Sequence, residues 1–369
     1  MKRCVLALED GAWYEGYSFG AERDAEGEVV FCTSMTGYQE ICTDASYRGQ
    51  MVVLTYPLIG IYGVVDQDAQ SYRPWAEALI VRDYYDDYSN WRAEDSLHRY
   101  LQRENVPAIA SVDTRALTRH LRTYGTMRAV LRVAPDVEPA VLVEQAGRVR
   151  SLSEKDLVGE VTVKQSYTVL PMRREGGGRP SRIVVVDCGA KANIVHWLSA
   201  KGAEVVVVPA NTGVSEVQAL RPDGVVFSNG PGDPTSVPGV VATMRQLLAT
   251  ETPMLGICLG HQMLGLAIGG TTSRLKFGHH GGNHPVRDNT TGRVYITSQN
   301  HEFQVEESSL AAAEGFLVSH VNLNDGSVEG LAHRTRPVFS VQYHPEAGPG
   351  PQDNLHVFDK FLASCQGDR

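Results

Sequence analysis

Beyond residue 182 the chain alternates short runs of β-branched and aliphatic residues with amphipathic stretches, and no other feature restricts its fold so severely. The runs are Ile183 to Val186, Val205 to Val208, Val225 to Phe227 and Met254 to Ile257; between them lie Lys191 to Ala200, Ser215 to Leu220 and Val240 to Leu248. A strand with one wet face alternates apolar and polar residues, whereas a continuous apolar run is buried on both faces. Such strands, separated by helices, predict a doubly wound, mostly parallel sheet. Ligands bind such sheets beyond the carboxyl ends of the strands. Two segments fall at those ends: Cys258, and the loop Ser228-Asn229-Gly230-Pro231-Gly232-Asp233-Pro234.

The first part of the chain reads differently. Val5 to Leu8, the turn Asp10-Gly11, Trp13 to Tyr17, Val29 to Thr33 and Met51 to Thr55 are strand-like, and a helix with Leu117 and Leu121 on one face follows the N-cap candidate Asp113 and stops at Gly125. This predicts a mixed α+β domain. Between Gln165 and Ser181 a Gly/Pro/Arg-rich segment without apolar periodicity reads as a linker. The expected organisation is a domain over 1–164, a linker over 165–181 and a second domain over 182–369, in keeping with roughly 150 residues per domain.

Composition narrows the function. The net charge is −9 with no basic run, which argues against nucleic acid and anionic membrane as partners and leaves small molecules and proteins. No apolar run approaches the ~18 residues of a spanning helix, and the five fairly apolar residues after Met1-Lys2-Arg3 are too few for a secretion signal. The six cysteines form no C-x-x-C pair, so neither a disulfide framework nor a zinc knuckle is expected. A reducing, cytoplasmic setting follows.

Cys258 stands between Gly256 and Gly260, after an apolar run and before a helical pattern. That is a nucleophile elbow with sulfur in place of oxygen. A thiol at a helix start has its thiolate favoured by unpaired N–H groups and the helix dipole, and the N–H of Leu259 could face an oxyanion. Free cysteine is also among the most buried residue types, so this segment alone admits a structural reading. A nucleophilic cysteine needs a base. His344 follows the run Val338 to Val341, and Glu346 lies two residues on, where a carboxylate could orient the imidazole; taken alone, His344 could equally be a solvated loop residue.

Gly230 and Gly232 let backbone approach a ligand and offer N–H donors, although Gly-Pro pairs most often mark simple turns. No G-x-x-x-x-G-K-[ST] occurs, so nucleotide binding by this chain is not expected. His279-His280-Gly281-Gly282-Asn283-His284 reads as a Gly-rich loop without a carboxylate or cysteine at ligand spacing, and no metal is assigned to it. Gln299-Asn300-His301-Glu302-Phe303, after the strand Val294 to Thr297, reads as a polar loop.

Together, Gly256 to Gln262, Asn229 to Pro234 and His344-Pro345-Glu346 resemble, in order, the motifs of class I (triad) glutamine amidotransferases. Thr33 to Glu40, Thr55-Tyr56-Pro57, Asp113 to Thr118 and Lys276 to His280 narrow the resemblance to the small, glutamine-hydrolysing subunits of carbamoyl-phosphate synthetases, over nearly the whole chain. The resemblance implies a class I amidotransferase domain after the mixed α+β domain. It also implies hydrolysis of L-glutamine by Cys258, His344 and Glu346 through a glutamyl thioester, and ammonia passed to a large subunit that makes carbamoyl phosphate from bicarbonate. ATP and magnesium would be bound by that partner, with no cofactor on this chain. By motif match, Ser46, Gly230, Gly232, Leu259, Gln262, Asn300 and Phe303 would hold glutamine. Two departures stand out. Glu302 occupies a position that is usually glycine, and Ile61 to Asp87 matches only loosely. An amidotransferase for another synthase, such as those for anthranilate, guanylate or formylglycinamidine, usually lacks a domain like residues 1 to 150. A non-catalytic binding subunit fits poorly with an intact Cys258, His344 and Glu346.

Overall fold

The computed structural model describes residues 2–173 and 179–366, and its contacts gather them into two units. The first comprises residues up to Lys155 together with Lys276–Gly281. Seven of its strands close a barrel in the order Arg3–Leu8, Trp13–Gly20, Pro107–Ala110, Ala78–Ile80, Gln50–Leu54, Ala25–Cys32 and Met127–Val133. Successive residues alternate between two apolar clusters, as the two-residue period of a strand requires. Val29 and Phe31 join Met51, Val53 and Ile80, while Val30 and Cys32 join Val52, Leu54 and Leu79. The helix Thr114–Tyr124 forms where its sequence predicts. The Asp113 carboxylate accepts the Ala116 N–H at 2.9 Å, Leu117 and Leu121 enter the core, and Gly125, at φ 105°, ends the helix.

The second unit comprises Asp156–Leu275 and the chain from Gly282 onward. Its ten-stranded sheet runs Tyr167–Val169, Glu204–Pro209, Arg182–Asp187, Gly224–Phe227, Met254–Ile257, Val338–Val341, Val328–His333, Phe316–Asn322, Thr272–Asp288 and Val294–Val305. The strands from Glu204–Pro209 through Val338–Val341 are mutually parallel, which is the expected doubly wound block. Alternate residues again part company. Val184, Val186, Val206 and Val208 pack with Met244, Leu247 and Met263 on one face, and Ile183, Val185, Val205 and Val207 with Ile194, Leu198 and Phe358 on the other. Each fully buried aliphatic side chain contributes about 1.5–3 kcal/mol. Helices therefore cover both faces of the parallel block, which leaves its strand ends as the place for a ligand.

Three expectations need correction. Tyr167–Val169, inside the expected linker, is an edge strand paired antiparallel with Glu204–Pro209; residues 174–178 of that linker lie outside the described residues. The second unit also begins before residue 165. Val158 is in its core, and the Val163 N–H donates to the Asp187 carboxylate at 2.7 Å. The supposed loops at 279–284 and 299–303 are both strand, within Thr272–Asp288 and Val294–Val305.

Candidate active site

The elbow is built by backbone crowding. Cys258 follows the strand Met254–Ile257 and precedes the helix Leu259–Ala267 at φ 53° and ψ −104°, a conformation that an L-residue adopts only under constraint. The constraint is visible in its bonds: the Cys258 N–H donates to Val341 at 2.9 Å, and its carbonyl accepts from His261 at 2.9 Å and Gln262 at 3.1 Å. Both flanking glycines are required by space. A Cβ on Gly256 would stand 2.6 Å from the Gly260 carbonyl oxygen, and one on Gly260 would stand 2.2 Å from that of Phe227. His261 is buried, and its Nδ1 lies 2.9 Å from Ser340 Oγ. Burial, with His320 adding to it, lowers its pKa to about 3, so it pins the helix to the sheet as a neutral ring.

The strand Val338–Val341 runs parallel to Met254–Ile257, Ile257 opposite Val341, so the chain beyond Val341 passes the nucleophile's side. His344 is fixed there by its N–H, which donates to Ser298 at 2.9 Å. Its Nδ1 lies 2.6 Å from Glu346 Oε1, and both side chains are sealed from solvent, at 1% and 0% exposure. Nδ1 is thereby committed, Nε2 is buried without a hydrogen-bond partner among the described residues, and the Cys258 thiol is close enough for its charge to act on the imidazole. Burial alone would lower the His344 pKa, but the Glu346 carboxylate, reinforced by Cys258, overrides it and raises the imidazole to about 10. Burial likewise would raise the Glu346 pKa, yet Lys191 and then His344 hold it down at about 2.

Lys191 is the residue that the sequence reading missed. It is 2% exposed, its Nζ lies 3.2 Å from Glu346 Oε1, and it donates to the Ala347 carbonyl. The turn that delivers it is tied by Asp187, whose carboxylate accepts the N–H groups of Gly189 at 2.9 Å and Ala190 at 2.6 Å, and by Asn229, which accepts the Lys191 N–H at 3.1 Å. Its position just past the buried strand Arg182–Asp187 was the available signal, since that is where such sheets place functional groups.

The remaining candidates in this unit gather at the same strand ends. Gly230 is packed so tightly that a Cβ would meet the Cys188 carbonyl oxygen at 2.1 Å, and Gly232 adopts φ 86°. Leu259 opens the helix, where N–H groups lack intrahelical acceptors. The Asn300 carbonyl lies 3.6 Å from Cys258 Sγ. Gln262 Nε2 donates to the Phe303 carbonyl at 2.9 Å and to Gln342 Oε1 at 3.2 Å. Ser46 belongs to the first unit, in the single turn Ala45–Tyr47, where its N–H donates to Asp44 Oδ1 at 2.9 Å.

Comparison with known proteins accounts for both units. A family model for the carbamoyl-phosphate synthase small chain, CPSase domain, matches residues 6–131, and one for class-I glutamine amidotransferases matches residues 184–364. The chain is 50% identical to the carbamoyl phosphate synthase small chain of Symbiobacterium thermophilum over 96% of its own length and 97% of the relative's. This chain belongs to that family. It is also 50% identical to the small chain of Methanopyrus kandleri, over 99% of both proteins, and 45% identical to that of Aquifex aeolicus, over 99% of this chain and 100% of the relative. As a carbamoyl phosphate synthase small chain it carries a glutamine amidotransferase domain, and that domain holds Cys258, His344 and Glu346. No helix among the described residues is long and apolar enough to cross a membrane.

Proposed function

We propose that Cys258, His344 and Glu346 hydrolyse the side-chain amide of L-glutamine, and that the ammonia is used by a large subunit to make carbamoyl phosphate. The observation that carries this reading is Cys258 held at φ 53° on a strand-to-helix turn beside an imidazole that is itself 2.6 Å from a buried carboxylate. Cys258 Sγ attacks the carboxamide carbon, and the new oxyanion is met by backbone N–H groups of Leu259 and the Gly230–Gly232 loop. His344 carries the thiol proton to the departing nitrogen, the carbon–nitrogen bond breaks, and ammonia leaves a glutamyl thioester. Water then attacks the thioester carbonyl and yields its proton to His344. Glutamate leaves, and the proton returns to sulfur. A raised imidazole pKa suits His344 to hold a proton until the leaving nitrogen needs it.

Gly230, Gly232, Leu259, Gln262, Asn300 and Phe303 are the residues of the second unit assigned to glutamine. ATP and magnesium are assigned to the large subunit, since this chain has no phosphate loop, and the assembled enzyme is placed in the cytoplasm. Replacing Cys258 with alanine tests the assignment. The assembled enzyme should lose glutamine-dependent carbamoyl phosphate synthesis and keep ammonia-dependent synthesis. Retained glutamine use would overturn it.

A further inference from the structure

Glu302 is an odd residue to find where it is. Its side chain is only 6% exposed, it stands in the strand Val294–Val305 between two residues assigned to glutamine, and resemblance to the family leads one to expect glycine there. A carboxylate in such a place is costly unless a cation meets it. Arg274 does so. From the neighbouring strand Thr272–Asp288, its Nε donates to Glu302 Oε2 at 3.0 Å, and a second guanidinium nitrogen grips the same oxygen.

The backbone on either side of Glu302 is tied to the elbow. The Asn300 carbonyl lies 3.6 Å from the Cys258 sulfur, and the Phe303 carbonyl accepts from Gln262 Nε2 at 2.9 Å and from His301 Nδ1 at 2.8 Å. A movement of Glu302 therefore shifts a contact to the nucleophile and a contact to the nucleophile's helix together. The charge matters as well, because a bare carboxylate here would oppose the α-carboxylate of a bound amino acid.

We propose that Arg274 is a positioning residue for the amide-hydrolysing site, acting through Glu302. It anchors the segment Asn300–Phe303 beside Cys258 and cancels the charge of Glu302, so that glutamine binds as it would beside a glycine. This inference rests on the assignment of Asn300 and Phe303 to the glutamine pocket.

The test is a double-mutant cycle in the assembled enzyme with its large subunit, using Arg274→Met, Glu302→Gln and the two combined, with glutamine and ammonia titrated separately. Arg274→Met should raise KM for glutamine about tenfold, within the range of coupled neighbouring groups, while KM for ammonia stays put. Combined with Glu302→Gln it should return to within about threefold of the parent. Arg274→Lys keeps the charge but loses the two-nitrogen grip, and should fall between. It also replaces Arg274→Met in the cycle if that variant does not assemble. An unchanged glutamine KM in Arg274→Met, or a double variant as impaired as Arg274→Met, overturns the proposal, the second result because Arg274 would then act without Glu302. A Cys258→Ala enzyme that still used glutamine would instead remove the underlying reading, whatever the cycle gave.

Discussion

Replacing Gly260 by alanine tests the elbow with a single added methyl group. That Cβ would stand 2.2 Å from the carbonyl oxygen of Phe227 and 2.9 Å from its carbon. A nonbonded carbon and oxygen sit comfortably at about 3.3 Å, so the turn and the strand Gly224–Phe227 must separate by about 1 Å. Neither side yields easily, because the obstructing atoms are backbone in the middle of a buried sheet. Overpacking of this kind costs about 1–3 kcal/mol, and a displacement of about 1 Å at a reacting group can cost about 10²-fold in rate. Helix propensity argues the other way: alanine is favoured over glycine by about 1 kcal/mol in a helix interior, so the sign of the stability change separates the two effects. Gly239, in the helix Pro238–Leu248, is the control, since a Cβ there meets nothing within 4 Å. Urea unfolding and glutamine hydrolysis by the assembled enzyme would be measured for both variants. Gly260→Ala should be less stable and about 10²-fold slower, with Gly239→Ala at least as stable as the parent and fully active. A Gly260→Ala protein with parental rate and stability would refute the crowding argument.

Lys191→Met should strand the Glu346 carboxylate in a sealed site, lowering kcat for glutamine hydrolysis and stability by about 3–5 kcal/mol, the latter read from denaturant midpoints; an unaltered kcat would remove Lys191 from the account. The His344–Glu346 pair makes stability depend on pH in a defined sense. Glu346 is depressed to about 2, so its contribution is complete above the usual carboxylate range and is lost as pH falls toward that value. His344 is raised to about 10, so its contribution is complete below the usual imidazole range and is lost as pH rises through the alkaline region. The stability advantage of the parent over His344→Gln should therefore shrink from pH 7 to about 10, and an advantage that grows over that interval would reverse the assignment of charge.

The parallel block was legible because burial on both faces removes polar residues from a strand, and Val184 to Val186 or Val205 to Val208 leave no other reading. The elbow was legible because only glycine fits at 256 and 260. What escaped were the places where burial and polarity coincide. Gln299, Asn300, His301 and Glu302 are all buried, yet a pattern that equates inside with apolar takes them for a loop. They stay inside because they are bonded there, as in Gln299 Nε2 to Glu329 Oε2 at 2.9 Å and Glu302 to Arg274. Lys191 was hidden for the same reason, its cost of burial met by a carboxylate 155 positions later in the chain. The closure of the first unit's barrel was also out of reach, since Ala78–Ile80 and Pro107–Ala110 are only three and four residues long and have no period to detect.

The claim on which the rest depends is that the Cys258 sulfur becomes acylated by glutamine. Acid quenching of the assembled enzyme during turnover of labelled glutamine, followed by peptide mass analysis, tests it directly. A glutamyl group should appear on the peptide that carries Cys258, sensitive to hydroxylamine as a thioester should be and absent from Cys258→Ala. A label on any other residue, or turnover by Cys258→Ala at the parental rate, would contradict it.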